Sequence, residues 1–281
     1  MTSKSTGTIH NPWRVLQKFT QARIGIGRAG ISIPTQEHLA FQLSHAQAKD
    51  AVHQSLDIEL LIKDLASLST QKLPEEIKVV QSQVHDRFEY LQRPDLGRRL
   101  SQESCNRLAE YSAKNKAMAC DLAIAVVDGL SSKAVQQNTL PFLQALQAFL
   151  QQDAQLDWSL APITIVKQGR VAIGDEIGEV FNAKAMLVLI GERPGLSSPD
   201  SLGLYLTWHP QVGLTDAYRN CISNIRPDGL SYEEAAKRTL FLLQESRRLK
   251  LSGVKLKDRS DENLIEQSFD SRSFLINQTD I

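Results

Sequence analysis

The stretch "AMLVLIGERPG", residues 185–195, joins a short apolar run to a charged turn. Six apolar residues are too few for a helix of ordinary length and are typical of a buried strand in a parallel sheet. The turn holds Glu192, Arg193 and Pro194 between two glycines. Charged side chains on a tight turn at the end of a buried strand indicate a polar site at that edge of the sheet.

Other apolar runs of similar length occur on both sides of this one. "LAIAVV" (122–127) and "PITIV" (162–166) predict buried strands, and "LGLYLTW" (202–208) predicts a fourth. Leucines at helical spacing predict a helix between the first two, and Ser231 with Glu234 matches the capping box that begins another. Strands that alternate with helices are typical of an α/β fold built on a parallel sheet.

Three loops follow predicted strands and would lie together on the edge where α/β folds bind ligands. They are "DGLSS" (128–132), "KQGRVAIGDEIGE" (167–179), whose second half predicts a short helix, and "GERPGLSSPDS" (191–201). Each combines glycine with charged residues, as a polar site lined by backbone requires. For any single loop, an ordinary connecting turn is the alternative interpretation.

The N-terminal part of the chain has a different pattern. Residues 11–118 predict a mainly helical domain, in which Thr35 and Ser101 are candidate N-caps. Residues 56–68 and 75–90 predict short helices. Around this domain the composition changes, which divides the rest of the chain into a polar, irregular tail (1–10), the α/β domain (119–257) and a polar C-terminal tail (258–281).

Composition excludes several classes of function. Lys and Arg together number 32, as do Asp and Glu, which gives no support to nucleic-acid binding or to an electrostatic membrane anchor. No apolar run approaches the length of a membrane span, and the first residues lack the apolar core of a secretory signal. The three widely spaced cysteines form no CxxC pair, which is typical of reduced thiols in the cytosol.

Familiar catalytic and metal motifs are weak or absent. "GIGRAG" (25–30) has the spacing of a dinucleotide-binding turn, but no convincing strand precedes it. His38, His45 and His53 fall on one predicted helix without a Cys, Asp or Glu to complete a metal site, so a solvated face is favoured. For Cys221, the alternative to a functional role is that of a small buried apolar residue. The residues alone identify neither a reaction nor a substrate.

Six stretches carry a family resemblance. Between about residue 20 and residue 257 the chain contains, in this order, "RIGIGRAG", "RPDLGRRL", "DGLSS", "GRVAIGDEIGE", "IGERPGL" and "NCISNIRPDG". In this combination the chain resembles the small (light) subunit of ethanolamine ammonia-lyase. The resemblance implies a subunit of an adenosylcobalamin-dependent lyase that converts ethanolamine to acetaldehyde and ammonia.

The resemblance also implies an architecture and a site. The small subunit would be Rossmann-like with a helical N-terminal extension, and a TIM-barrel large subunit would hold the substrate and the radical chemistry. The cofactor would lie between the subunits and contact Val171, Glu192 and Cys221 of this chain. No catalytic residue and no metal ligand is expected here. The D-x-H-x-x-G motif that replaces the lower nucleotide base is missing, so the cobalt is expected to keep its own benzimidazole.

These expectations suggest a role for the charged turn. Glu192 would accept hydrogen bonds from corrin amides or from a ribose hydroxyl. Gly191 and Gly195 would let the backbone approach the cofactor closely, and Pro194 would fix the turn in advance. Arg193 would instead hold the loop or reach the partner subunit. Val171 and Cys221 would be compact walls against the macrocycle.

Two alternatives and a question of location stay open. The chain could be a stand-alone Rossmann-like enzyme that uses a nucleotide, or a purely structural partner of the large subunit. The resemblance implies a cytoplasmic location or a bacterial microcompartment, which some members reach through an N-terminal segment. Here the family-like region begins soon after "MTSKSTGTIHNPW", so we expect that targeting segment to be absent.

Overall fold

The fold is α/β, with one large sheet covered by helices on both faces. The computed structural model describes residues 7–68, 76–114, 119–153 and 156–260. Predictions for residues 1–6 and 261–281 therefore lie outside the described residues.

The strands form a small hairpin and a six-stranded mixed sheet. In the hairpin, β1 (Thr8–Ile9) pairs antiparallel with β2 (Arg28–Ala29). The large sheet contains β3 (Ile77–Gln81), β4 (Leu122–Val127), β5 (Ile163–Lys167), β6 (Ala185–Gly191), β7 (Leu202–Trp208) and β8 (Arg219–Ile225). Its spatial order is β3-β5-β4-β6-β7-β8, with the first four strands parallel and the last two antiparallel to their neighbours.

Helices cover the sheet in two layers. They are α1 (Thr35–His53), α2 (Ile58–Ala66), α3 (Arg87–Gln92), α4 (Gln102–Lys114), α5 (Ser132–Gln152), α6 (Ile173–Val180) and α7 (Tyr232–Leu249). One apolar core lies between the sheet and α2, α5 and α7, and a second lies between the sheet and α4 and α6. Alternate residues of β4 enter different cores, so all six are buried and the strand is continuously apolar.

Several local predictions are confirmed. The runs 122–127 and 202–208 are strands with those bounds, and Ser231 caps α7 by accepting from the backbone N–H of Glu234 at 3.3 Å. Ser101 likewise accepts from the N–H of Ser104 at 3.2 Å where α4 begins. The prediction that Thr35 is an N-cap is wrong, because Thr35 is the first helical residue and a proline precedes it without a side-chain capping bond.

The helix predicted over residues 75–90 is wrong in its first half. Residues Ile77–Gln81 form β3, which pairs in parallel register with β5, and the helix there is the short α3. Ile77, Val79 and Val80 are β-branched and favour a strand once a sheet edge is available to them. The large sheet therefore takes one edge strand from the segment predicted to be mainly helical.

The prediction of a parallel sheet is also corrected. The chain turns back after β6, so β7 runs antiparallel to it, and β8 continues the antiparallel pattern. The sequence "RNCISNI" of β8 does not predict a strand, because its buried residues, Arg219, Ile222 and Ile225, fall at every third position and one of them is charged. Cys221 lies on the exposed face of this strand, so its interpretation as a buried core residue is wrong.

Candidate functional site

The carboxyl ends of β4 and β6 lie side by side, and the connections that leave them lead to opposite sides of the sheet. These strands are neighbours, but the chain leaves β4 towards β5 and leaves β6 towards β7 on the other side. The crevice between their ends is closed by backbone: the N–H of Leu130 donates to the carbonyl of Gly191 at 2.9 Å. A Cβ on Gly191 would lie 2.0 Å from the carbonyl oxygen of Ser131. Two of the three predicted loops therefore touch at this point.

A cleft of about 530 Å³ opens beside this contact. We call it the edge cleft. Its walls come from the loops after β4 and β5, from the end of β6 and the turn after it, from Tyr205 in the middle of β7, and from α3 with the segment after it. Leu130 and Val171 give it apolar surface, whereas Arg98, Glu192 and Asp216 give it charge. A concave surface that is apolar with a few charged groups is typical of a small-molecule site.

Glu192 is held in place by the strands beside it. Its backbone N–H donates to the carbonyl of Ser201 at 3.0 Å. Its Oε2 accepts from the hydroxyl of Ser201 and from the backbone N–H of Asn224 at 3.3 Å. A Cβ on Gly203 would lie 2.8 Å from Oε1, so the carboxylate rests against bare backbone of β7. Among the described residues no donor reaches Oε1, which leaves this oxygen available to a ligand.

Of the three predicted cofactor contacts, two line the edge cleft directly. Val171 and Glu192 share it, while Cys221 lies opposite Tyr205 in the pairing of β7 with β8. Tyr205 lines the cleft and its hydroxyl hydrogen-bonds to the Cys221 thiol. Loss of solvation around the sulfur raises the pKa of this thiol, and the bond from Tyr205 acts in the opposite direction. Cys221 is therefore a neutral thiol at pH 7 and is not activated as a nucleophile.

Arg193, the other charged residue of the turn, is exposed.

Another part of the cleft wall is built around Tyr90, a residue that no sequence pattern points to. Its side chain is buried, and its hydroxyl donates to the carbonyl of Gly169 at 3.0 Å. The guanidinium carbons of Arg170 and Arg87 lie 4.1 and 4.6 Å from the centre of its ring. The backbone N–H of Arg170 donates to the carbonyl of Gly97 at 2.7 Å. These contacts fasten the "RPDLGRRL" stretch to the loop that carries Val171.

Asp128 joins the loops after β4 and β5. Its carboxylate accepts from the backbone N–H groups of Gln168 at 2.9 Å and Gly169 at 3.2 Å, and it faces the charge of Arg87. The side chain is almost fully buried. Burial raises the pKa of Asp128 to about 6, although the N–H groups and Arg87 act in the opposite direction.

This shift in pKa predicts a specific pH dependence of stability. Because the folded-state pKa of Asp128 lies above the unfolded value, the native chain binds the proton more tightly, and this stabilisation is lost as the pH rises through about 6. We expect the stability difference between the unmodified chain and Asp128→Asn to change by roughly 1–1.5 kcal/mol between pH 5 and pH 7, in favour of the unmodified chain at pH 5. Urea unfolding of both proteins at the two pH values measures it. A difference that does not depend on pH would contradict the assignment.

The first of the six family-like stretches contacts the fifth, and Gln21, just before the first stretch, contacts the sixth. Arg23 donates to the carbonyl of Leu196 at 3.1 Å, and the Ser197 hydroxyl donates to the carbonyl of Gln21 at 3.2 Å. Arg226 reaches the side-chain oxygen of Gln21 at 3.3 Å and the carbonyl of Ser197 at 3.4 Å. Together with the contacts above, these bonds connect all six stretches along one edge of the sheet.

The glycines of "GIGRAG" have a structural use. Gly25 and Gly27 have φ of +62° and +77°, which favour glycine. A Cβ on Gly25 would lie 2.5 Å from the backbone nitrogen of Arg14, and one on Gly27 would lie 2.5 Å from the carbonyl of Ile9. The stretch includes β2 of the hairpin and leads into no strand–turn–helix unit, so its glycines pack the N-terminal segment together.

The described part of the chain meets the requirements of neither a metal site nor a membrane-spanning helix. His38, His45 and His53 lie on α1, where His45 stacks on Phe41 with ring centroids 6.4 Å apart. No group of three or more His, Cys, Asp or Glu among the described residues could hold a metal ion. No described helix is both long enough and apolar enough to cross a membrane.

Comparison with known proteins gives consistent matches over nearly the whole chain. The family model of the ethanolamine ammonia-lyase light chain matches residues 10–257. The ethanolamine ammonia-lyase small subunit of Pseudomonas putida (strain W619) is 52% identical over 259 residues, which cover 92% of each chain. That of Pseudomonas aeruginosa (strain UCBPP-PA14) is 53% identical over 91% of this chain and 90% of its own. That of Azotobacter vinelandii is 52% identical over 93% of each. The chain with this cleft therefore belongs to the ethanolamine ammonia-lyase light chain family.

Proposed function

We propose that this chain is the small subunit of an adenosylcobalamin-dependent ethanolamine ammonia-lyase, and that its edge cleft holds part of the cofactor against the large subunit. The observation that carries the proposal is the edge cleft itself, which both Val171 and Glu192 line in a chain of this family. The reaction is the conversion of ethanolamine to acetaldehyde and ammonia.

The cleft residues fit a corrin cofactor. A corrin ring presents a flat apolar face and a rim of amide side chains. Leu130 and Val171 offer compact apolar contact to such a face, and Oε1 of Glu192 is a free acceptor for an amide N–H. Because Ser201 and Asn224 already fix the other carboxylate oxygen, this acceptor needs little ordering when a ligand binds.

The cleft also suggests how the work is divided between subunits. An open cleft of about 530 Å³ covers only part of a molecule as large as cobalamin, so a second surface must cover the rest. We assign that surface to a large subunit with a TIM-barrel fold, which binds the substrate. When bound, the cofactor supplies the radical, with its own benzimidazole as the lower ligand. The residues of this chain bind and orient it, with Tyr205 and Cys221 extending the wall beyond Glu192.

Two other functions have less support. A stand-alone enzyme that uses a nucleotide needs a glycine-rich turn between a strand and a helix, but the turn from β4 to α5 contains one glycine, which packs against Gly191. A purely structural subunit would explain the contacts among the loops, but it gives no use to the Glu192 carboxylate oxygen that no described donor reaches.

Reconstitution tests the proposed function. The chain is co-expressed with a large subunit of the family, the complex is purified, and acetaldehyde formation from ethanolamine is measured with and without adenosylcobalamin. We expect product only when both subunits and the cofactor are present. A stable complex that turns over ethanolamine without cobalamin, or the lack of any complex, would contradict the proposal.

Glu192→Ala separates cofactor binding from a purely structural role. We expect the Kd of the complex for adenosylcobalamin to rise about tenfold or more, because a hydrogen bond from a buried ligand group to a charged acceptor is worth roughly 1.5–3 kcal/mol. The subunits should still co-elute on gel filtration. Glu179→Ala is the matched control, since Glu179 also accepts a backbone N–H, from Val212 at 3.2 Å, but lies outside the edge cleft. Equal affinities for the two variants would refute the role of Glu192.

A further inference from the structure

A basic groove lies at the opposite edge of the molecule from the edge cleft. Two adjoining cavities, of about 550 and 300 Å³, meet there and share Phe241, Glu245 and Arg248 of α7. The groove follows the last turns of α7 and continues past residues 255–259, with Leu156 on its other side. We define the basic groove by these two cavities.

The charge of the groove is strongly positive. Six basic side chains line it, against two acidic ones: Arg247, Arg248, Lys250, Lys255, Lys257 and Arg259. Both acids already have partners, since Glu245 pairs with Arg248 at 2.7 Å and Asp153 accepts from the indole of Trp158 at 2.8 Å. The negative end of the dipole of α7 accounts for basic residues in its last turn, but not for the three beyond it. The excess positive charge therefore favours an acidic occupant.

An acidic segment follows directly in the chain. Residues 261–281, which lie outside the described residues, contain one basic residue, Arg272, and five acidic ones: Asp261, Glu262, Glu266, Asp270 and Asp280. Apolar residues separate the acids: Leu264, Ile265, Phe269, Phe274, Leu275 and Ile276. The family model ends at residue 257, so this segment lies outside the part of the chain that the model covers. Its charge and its apolar content both match the groove, whose floor includes Phe241 and Leu156.

We infer that residues 261–276 bind in the basic groove of their own chain. Arg259 lines the groove and stands two positions before Asp261, so the segment starts at the groove. The groove follows α7 from Phe241 to Lys250, which is roughly 14 Å at 1.5 Å per residue. About five extended residues cover that distance at ~3.3 Å each, so the segment is long enough. Its covalent link makes the binding intramolecular and gives an effective concentration on the order of millimolar.

Hydrogen exchange measured by mass spectrometry on the full chain tests this inference. We expect amides in residues 262–270 to exchange ~10-fold or more slowly than an unprotected peptide of the same sequence. The double variant Lys255→Gln with Lys257→Gln should remove most of that protection. The matched control is Lys49→Gln with Lys63→Gln, which removes the same charge from exposed lysines of α1 and α2 and should leave the protection unchanged.

A reciprocal variant tests the segment itself. Glu262→Gln, Glu266→Gln and Asp270→Asn together should also raise exchange in residues 262–270, while amides of β4 stay protected and show that the fold is intact. The inference is overturned if the unmodified segment is unprotected, or if the groove variant protects it as well as the control does. Protection that depends on protein concentration would place the segment on a second copy, and protection only in complex with the large subunit would place it on that partner. Either result would also overturn binding within one chain.

Discussion

Asp175→Ala should destabilise the full chain by about 3–5 kcal/mol, because it breaks a buried ion pair and leaves the buried guanidinium with only an exposed carboxylate as its ionic partner. Asp175 lies on α6 and receives two hydrogen bonds from Arg219, at 2.6 and 2.7 Å. Each side chain is only 2% exposed. Without the carboxylate, the guanidinium would stay buried with two of its N–H groups unpaired, which is the costly half of such a substitution.

A substitution at the second acidic partner of Arg219 is the control for this prediction. Arg219 also pairs with Asp216 at 3.2 Å, but the Asp216 side chain is 87% exposed. We expect Asp216→Asn to cost less than ~1 kcal/mol, as is usual for exposed ion pairs. Equilibrium unfolding in urea measures both variants under the same conditions. If the two substitutions had equal effects, the buried pair would not be the interaction that holds Arg219.

This pair bears on the site because it fixes β8 to the body of the domain. Arg219 begins β8, and the same strand carries Cys221 and the backbone N–H of Asn224 that binds Glu192. The Arg219 guanidinium also donates to the carbonyl of Leu214 at 3.0 Å, which holds the segment before the strand. Loss of the pair should therefore loosen one wall of the edge cleft as well as lower the stability of the chain.

The central strands could be predicted from the sequence because their environment is uniform. Residues 122–127 are buried on both faces, so the run is apolar at every position and needs no distant information. The strand β8 could not be found in this way. Its pattern places Arg219 at a buried position, and an arginine is tolerated there only because Asp175, 44 residues earlier, neutralises it. The strand β3 was missed for a related reason, since its five residues become a strand only by pairing with β5.

The sequence predicts at which edge of the sheet the candidate site lies, but not the contacts that hold its loops together. Loops at the ends of successive strands must meet on one edge of a parallel sheet, and Val171 and Glu192 do share a cleft there. The buried contact between Asp128 and the loop after β5, and the stacking of Tyr90 with Arg170, join segments from distant parts of the sequence. No local pattern carries such information, so these residues appeared only with the fold.

Gly191→Ala should lower the stability of the full chain by about 3 kcal/mol or more and weaken cobalamin binding by the reconstituted complex. A Cβ at this position would lie 2.0 Å from the carbonyl oxygen of Ser131 and 2.6 Å from its carbonyl carbon. Backbone atoms cannot rotate away, so the loop after β4 and the end of β6 would have to separate, and forced shifts of this kind typically cost 1–3 kcal/mol and occasionally more. The separation would deform the floor of the edge cleft.

Gly195→Ala in the same turn is the matched control. There the new Cβ would lie 2.8 Å from the hydroxyl oxygen of Ser198, a side chain that can rotate, and Gly195 does not have a positive φ. We expect a change in stability of no more than ~0.5 kcal/mol, as for most substitutions that create no clash with backbone or core. Thermal or urea unfolding of the two variants decides between two uses of glycine in this turn. A large cost confined to Gly191 means that this glycine lets two loops of the protein approach each other, whereas equal stabilities with weaker cobalamin binding for both would mean that the glycines serve the approach of the cofactor.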